Sequence, residues 1–279
     1  MTALSRPAGG PQGRSATGRW WLVTAAALLG IAATASLGRW QLDRAAQKQA
    51  LAAAIEARGQ RAPLDGMALL QALDACAAPS HASQAPEACA AGLAHRPVGL
   101  QGQWLAQHTV YLDNRQMHGR PGFFVITPLE LALPAGQRAV VLVQRGWVPR
   151  NFQDRTALPP VQSPAGRVAL NGRLAAWPAR LYEFVPGADP VSETSHIRQN
   201  LDKARFRAET GLPLLDLSVV QTGAASEGLQ RDWPRVEAGV DKHYGYAFQW
   251  FGLSVLMAVL YVWFQLVRRF FRPRSRPTA

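Results

Sequence analysis

The chain has 279 residues, enough for one or two domains, and a formal net charge of +12. The charge is uneven: the residues before position 20 and after position 267 include eight basic and no acidic ones, whereas residues 39–242 hold 22 basic and 18 acidic ones. Because the excess lies in two short tails, the composition argues against a nucleic-acid-binding protein.

Two uncharged apolar stretches are long enough to cross a membrane. Residues 20–37 and residues 247–267 contain 18 and 21 residues without a charge, and a membrane helix needs about 17–25. Trp and Tyr residues lie near their ends, as in an aromatic belt at the membrane interface. The sequence therefore predicts transmembrane helices at residues 20–38 and 246–267.

The tails give these spans an orientation. Residues 1–19 are rich in Gly, Pro, Arg and Ser and are predicted to be a disordered tail, and residues 268–279 form a second basic tail. Short basic segments stay on the cytoplasmic side. Both termini are therefore predicted to be cytoplasmic, with residues 39–242 on the outer side.

A cleavable signal peptide is the alternative for the first span. The basic start, the apolar stretch and the small residues Ala33-Thr34-Ala35 fit such a signal and its cleavage site. Under this alternative only the second span would remain in the mature protein.

The two cysteines both fall in the segment predicted to lie outside. Cys76 and Cys89 are separated by an Ala-rich stretch, and an oxidising compartment permits a disulfide between them. Two interpretations stay open: a disulfide-linked helical hairpin, and a loosely ordered insert with two unpaired thiols. Because a C-x-x-C motif is absent, we do not assign thiol redox chemistry or copper transfer to these residues.

The segment between the spans has three parts. Good helix formers continue from the first span to about Arg58, so the helix is predicted to leave the bilayer. Residues 59–95 form an Ala-rich insert. Residues 96–222 contain short β-rich runs separated by turn residues, with one short helix near residues 204–211. This pattern predicts an α+β domain with an antiparallel, barrel-like or sandwich-like β core.

Two short motifs inside this domain have mainly structural interpretations. Residues 113–115, Asp-Asn-Arg, predict a turn after a strand. Gly146 indicates a bulge or a close approach of the backbone. Trp147 favours a core position over a ligand-binding surface.

Among the residues of this sequence, His243 is the one that most directly suggests a ligand-binding role. It stands just before the second apolar stretch, so a metal-competent imidazole lies at the rim of a membrane helix. A neutral imidazole can ligate heme iron, and Tyr246 and Trp250 could provide a flat apolar surface beside it. The alternative is an interfacial histidine within an ordinary aromatic belt.

The sequence contains no catalytic signature. It has no G-x-S-x-G, H-E-x-x-H or P-loop motif. His196 lies near Ser195 and Asp202, but adjacency in sequence does not establish triad geometry. We therefore predict that the protein is not an enzyme.

Five sequence blocks in a fixed order carry a resemblance to a known family. They are LGRWQLDRAAQK (37–48), GQWL with VYLDNRQMHGRPGFFVITPL (102–129), VLVQRGWVPR (141–150), QNLD (199–202) and HYGYAFQWFGLS (243–254). With the two-span topology, they resemble the Surfeit locus protein one (Surf/Shy) family of cytochrome c oxidase assembly proteins. The long insert at 59–95 departs from the family pattern, as does Gln144, where Asn is expected.

The resemblance implies a function and a location. It implies a multi-pass protein of the bacterial inner membrane with a periplasmic loop, which binds heme a and helps its insertion into oxidase subunit I. His243 is then the candidate axial ligand of the heme iron. Subunit I, heme a synthase and membrane lipid are the implied partners. Because the family keeps its first span, the resemblance also disfavours cleavage after Ala35.

Four residues at the outer end of the first span, Arg39, Trp40, Gln41 and Arg44, are expected to face the His243 region if the two spans pack side by side. Three of them complete the predicted heme site. Arg39 and Arg44 could pair with the heme propionates, and Trp40 could stack on the ring. The alternative for these residues is membrane anchoring. For the whole chain, the alternatives are a scaffold that stabilises subunit I without ligating heme, and a membrane-tethered enzyme.

Overall fold

The computed structural model describes residues 14–77, 89, 91–134, 136–154, 157–181, 196–234 and 239–268. The chain divides into two compact units: a helical unit, formed by residues 1–52 with 237–279, and a β-rich domain, formed by residues 53–236. The predictions for most of the two tails fall outside the described residues.

Two long helices belong to the helical unit. α1 runs over Arg14–Gly59, and its last residues, from position 53, belong to the β-rich domain. α4 runs over Val240–Tyr261 and continues as a π-helical turn, Val262–Val267. Each helix contains an apolar 18-residue window. Only 11% of the window in α1 and 6% of the window in α4 is buried. Apolar helices with exposed side chains suit a lipid environment better than the core of a soluble domain.

Small residues allow α1 and α4 to pack closely. Thr34 and Gly38 are four residues apart on α1, and both are buried. A Cβ atom on Gly38 would lie 2.9 Å from the ring of Phe251. The hydroxyl groups of Thr24 and Tyr261 lie 3.0 Å apart, so the start of α1 meets the end of α4. The two helices therefore form an antiparallel pair with a small-residue interface.

The described part of the β-rich domain contains seven strands and two short helices. The strands are β1 Pro97–Trp104, β2 Val110–Met117, β3 Arg120–Leu131, β4 Val140–Pro149, β5 Arg167–Ala175, β6 Ile197–Arg198 and β7 Leu214–Gln221. α2 (Gly66–Ala77) precedes β1, and α3 (Lys203–Thr210) lies between β6 and β7. A 3-10 turn, Ala106–His108, joins β1 to β2.

Five of these strands close into a barrel. β1 pairs with β5, β5 with β7, β7 with β4, β4 with β3, and β3 returns to β1. β2 and β6 extend the sheet from β3. Closure satisfies the backbone groups that an open edge would expose. The predicted α+β domain with a barrel-like core is confirmed, although the β4–β7 and β2–β6 pairs are parallel.

The buried strand β4 lies between two clusters of apolar side chains. Nine of its ten residues are buried. Val141 belongs to one cluster and Leu142 to the other, because successive side chains point to opposite faces of a strand. Leu69 of α2 joins the first cluster and Phe206 of α3 joins the second. The two short helices thus pack on the apolar surfaces of the sheet.

The cysteines of the insert are joined. Cys76, at the end of α2, forms a disulfide with Cys89, and their Cα atoms are 5.5 Å apart. The disulfide that the sequence left open is therefore present, and the interpretation with two unpaired thiols is wrong. Residues 78–88, between the cysteines, lie outside the described residues.

The predicted turn at residues 113–115 is wrong. β2 continues to Met117, and its register with β3 shifts within this segment. Asn114 has a φ of 59° in the resulting bulge, a conformation that Asn tolerates better than most residues. The hairpin turn comes later, at His118 and Gly119, with φ values of 51° and 73°. Positive φ at both positions is what a two-residue hairpin turn of type I′ requires.

The prediction of a bulge and a close approach at Gly146 is confirmed. The register between β3 and β4 skips Arg145, the residue before it. A Cβ atom on Gly146 would lie 2.7 Å from the carbonyl oxygen of Gln230. Trp147 is 1% exposed and donates its indole N–H to the carbonyl of Arg115 at 2.9 Å, so it is a core residue, as predicted.

Candidate functional site

The second apolar helix begins earlier than the sequence predicted. α4 starts at Val240, directly after Gly239, whose φ of 54° lies in the left-handed region that glycine enters without strain. His243 therefore lies within the first turn of α4 and not ahead of the helix. Seven residues span about two helical turns, so His243 and Trp250 lie on one face of α4.

His243 is hydrogen-bonded to Gln41 of α1. The distance between the imidazole Nδ1 and the amide Oε1 is 2.7 Å. A carbonyl oxygen can only accept, so Nδ1 carries the proton and Nε2 of the neutral ring keeps its lone pair. Among the described residues, Nε2 has no hydrogen-bond partner. A metal-ligating histidine has this same arrangement, with one ring nitrogen held by an acceptor and the other available to the metal.

The predicted aromatic residues lie near His243 on α4. Trp250 is half-buried, and Tyr246, three residues after His243, is 50% exposed. Ala247, one turn after His243, is only 2% exposed, which shows that the helices meet closely at this level. A large flat ligand of His243 would therefore lie beside the helix pair, along Tyr246, and not between the two helices.

The structure separates the three predicted residues of α1. Gln41 points towards α4, and Arg39, two residues earlier, lies about 200° round the helix and hence on the far side. Trp40 is 55% exposed. Arg44 is also exposed and donates to Gln47 at 2.9 Å. Trp40 and Arg44, four residues apart, share one flank of α1.

Gln41 is the α1 residue that contacts His243; from the sequence it was expected to face the His243 region, but no role was assigned to it. The residues Thr34, Gly38, Gln41 and Ala45 recur at alternating intervals of four and three, which is the spacing of a helix face that packs on another helix. The other three members are small and buried. A polar residue in such a row indicates a hydrogen-bond partner on the facing helix. This pattern could have identified Gln41 from sequence.

The described residues offer no conventional metal-ion site. Among them, no group of three or more His, Cys, Asp or Glu side chains could hold a metal ion. Cys76 and Cys89 are joined to each other and provide no thiolate. A lone imidazole such as that of His243 would suit a ligand that brings most of its own donor atoms to the metal.

The residues that suggested a catalytic triad have structural partners. His196 contacts the carbonyl oxygen of Thr109 through its Nδ1, at 2.8 Å. Asp202 caps the N-terminus of α3 by accepting from the backbone N–H of Arg205 at 2.9 Å. Ser195 lies outside the described residues. His196 and Asp202 therefore each have a partner in the fold, and the contact of Asp202 is that of a helix N-cap.

Comparison with known proteins identifies the family. The model of the SURF1 family matches residues 28–255 of the chain. The chain belongs to the SURF1 family. A SURF1-like protein of Rickettsia felis is 24% identical over 233 residues, which cover 81% of this chain and 89% of that protein. A SURF1-like protein of Rickettsia conorii is 23% identical over 233 residues, covering 81% and 84%.

The SURF1 family is a family of assembly factors that is generally linked to cytochrome oxidase assembly. The matched segment includes Gln41 on α1 and His243 on α4. The contact between these residues therefore lies within the part of the chain that the family model matches.

Proposed function

We propose that this SURF1-family protein is a membrane-bound chaperone that binds heme a and helps its insertion into subunit I of the heme–copper oxidase. His243 is the proposed axial ligand. The hydrogen bond between His243 and Gln41 carries the proposal, because it leaves Nε2 available for iron at one end of two apolar helices. A neutral imidazole in this state is a common axial ligand of heme.

Heme suits this site better than a bare metal ion. The porphyrin supplies four ligands to its iron, so the protein needs to add only one or two. A structural zinc site needs about four protein ligands, and no such group is found in the described parts of the chain. The exposed ring of Tyr246 beside His243 adds an apolar surface for a flat ligand.

The flank of α1 would contribute to the same site. Trp40 and Arg44 are exposed on one side of the helix, where the ring could stack on the porphyrin and the guanidinium could pair with a propionate. Arg39 lies on the far side of α1, and its position favours the alternative role of anchoring the helix at the membrane interface.

The proposed location is a bacterial inner membrane, with both termini cytoplasmic and the β-rich domain in the periplasm. The basic tails and the disulfide between Cys76 and Cys89 support it, because disulfides persist in oxidising compartments. A phosphatase reporter that folds only outside the cytoplasm should be active when inserted after residue 65 and inactive when fused after residue 279. The reverse result would contradict this orientation.

The heme proposal is tested by purifying the full chain in detergent from cells with and without heme a synthesis. We expect a heme absorption spectrum only when heme a is made. His243→Ala should lose the spectrum, whereas His118→Ala, which replaces an exposed histidine, should keep it. If His243→Ala retains the full heme content, ligation by His243 is wrong.

The same preparations distinguish the alternative scaffold function. A scaffold would co-purify with oxidase subunit I and carry no heme under either condition. A heme a chaperone should carry heme when subunit I is absent and transfer it when subunit I is added. Co-purification with heme a synthase would identify the source of the heme.

A further inference from the structure

We infer that Gln41 is a positioning residue, which fixes the ring orientation and the protonated nitrogen of His243 so that Nε2 faces the heme iron. This inference rests on the proposed function, and it adds a residue of the opposite helix to the site. It starts from one contact, the 2.7 Å hydrogen bond between Gln41 Oε1 and His243 Nδ1.

The chemistry of this contact selects one form of the imidazole. A free neutral imidazole exchanges its proton between two nitrogens, and only the form protonated at Nδ1 offers Nε2 as a ligand. The amide oxygen of Gln41 accepts from Nδ1 and so stabilises that form. It also holds the ring against rotation about χ2. In metalloproteins, partners of this kind orient the ligand and raise its basicity.

The packing of the helices holds the two side chains at hydrogen-bonding distance. Gly38 and Ala45 lie one turn on either side of Gln41, and both are buried. Ala247, one turn after His243, is 2% exposed. Small residues let the backbones approach. Gln41 can therefore reach the imidazole across the interface.

The placement of Gln41 on the face of α1 that packs on α4 supports a role beyond packing. Gln41 and His243 are both half-buried, and a partly buried polar group gains from a hydrogen-bond partner. Gln41 finds this partner in the side chain of the proposed ligand. If packing were its only contribution, an apolar side chain of similar length would replace Gln41 without changing the properties of His243.

The test compares Gln41→Leu, Gln41→Glu and the wild-type full chain, purified in detergent with heme a. Gln41→Leu should weaken heme retention by about 10–100-fold. Gln41→Glu should retain heme and shift its midpoint potential to a more negative value, because a carboxylate makes the imidazole a stronger donor to ferric iron. Gln49→Leu and Gln49→Glu, at an exposed position on the same helix, should leave both quantities unchanged.

A measurement without heme separates this inference from the proposed function. The nitrogen NMR shifts of ¹⁵N-histidine-labelled apoprotein should show His243 protonated at Nδ1 in the wild type and as a mixture of both forms in Gln41→Leu. Wild-type NMR shifts, affinity and potential in both Gln41 variants would overturn the role of Gln41, whereas loss of heme in His243→Ala would still support ligation. Retention of heme in His243→Ala would instead overturn the proposed function itself.

Discussion

Arg145 and Glu227 form an ion pair in which the arginine side chain has no exposed surface. The Nη2–Oε2 distance is 2.9 Å, and the glutamate side chain is 20% exposed. The same guanidinium lies 4.5 Å from the centroid of the Trp104 ring and 2.6 Å from the hydroxyl of Ser163. Arg231 adds a second cation at 3.3 Å from the carboxylate. This network ties the bulge of β4 to the segment that follows β7.

Removing the charge of Glu227 should destabilise the domain. Glu227→Gln leaves Arg145 buried without a counter-charge, and breaking a fully buried pair costs about 3–5 kcal/mol. Since Glu227 keeps some contact with solvent, we expect a loss of about 2 kcal/mol in the free energy of unfolding. Denaturant unfolding, followed by tryptophan fluorescence, measures this loss.

The exposed pair between Glu130 and Arg138 provides the matched control. The Arg138 side chain is 62% exposed, so Glu130→Gln should cost no more than about 1 kcal/mol. Equal losses in Glu130→Gln and Glu227→Gln would show that the burial of Arg145 does not set the cost.

Gly146 should not accept a side chain. A Cβ atom there would lie 2.7 Å from Gln230 O and 2.7 Å from the Cβ of Leu229, a residue that is 1% exposed. Overpacking of this kind costs about 1–3 kcal/mol, so Gly146→Ala should lower the thermal unfolding midpoint. Gly99→Ala is the control, because its Cβ would meet its nearest neighbour, Asn171, at 3.6 Å. Matching midpoints for the two variants would contradict the close approach.

The stability of the β-rich domain should depend on the charge state of His95. Burial lowers the pKa of His95 from 6.5, and the positive charges of Arg173 and Arg58 lower it further. Arg173 donates to His95 Nδ1 at 3.2 Å, a bond that requires the nitrogen to be unprotonated. The folded domain therefore binds this proton less readily than the unfolded chain does.

The sign of the pH effect follows from this lowered pKa. His95 is neutral in both states above pH 6.5, so its contribution is fully present there, and stability should fall as the pH drops below about 6.5 towards the folded pKa. His95→Asn, which tolerates the backbone φ of 70°, should flatten this decline. His118→Asn, at a second left-handed position, controls for the substitution. Burial also lowers the pKa of His108, so the stability of the His95→Asn variant should still fall to some extent as the pH drops.

The first span should be retained in the mature protein. The predicted cleavage site lies in the middle of α1, where Thr34 is buried and donates to the carbonyl of Gly30 at 2.8 Å. Residues on both sides of the site pack on α4. Intact-mass spectrometry of the membrane protein should therefore give the mass of the uncleaved chain. Ala33→Leu with Ala35→Leu would block a signal peptidase. A variant product that is heavier than the wild-type product by the mass of residues 1–35, and not only by the two larger side chains, would show that cleavage normally occurs.

Local sequence patterns predicted the elements of the β-rich domain well. The apolar run at residues 138–148 predicts a strand, and β4 occupies Val140–Pro149. These patterns succeed because turn residues and apolar runs act within a few positions of the chain. Asn114 shows where they fail: whether an Asn with positive φ makes a turn or a bulge depends on the register of the facing strand.

Only part of the candidate site could be predicted from local sequence patterns. The position of His243 beside an apolar stretch is visible in the sequence. The sequence does not show which face of α1 packs on α4, and so it could not show that Gln41 faces His243 while Arg39 faces away. The packing of Gly38 against Phe251 of α4 sets this face.

The sequence by itself determined that the chain has two apolar spans around a β-rich segment, because span length, charge and strand runs are properties of contiguous residues. Only the tertiary structure decided that β1, β5, β7, β4 and β3 close into a barrel. It also decided that His243 meets Gln41 and not Arg39. Both depend on which surfaces face each other, and residues 202 positions apart come together only when the side chains between the helices pack.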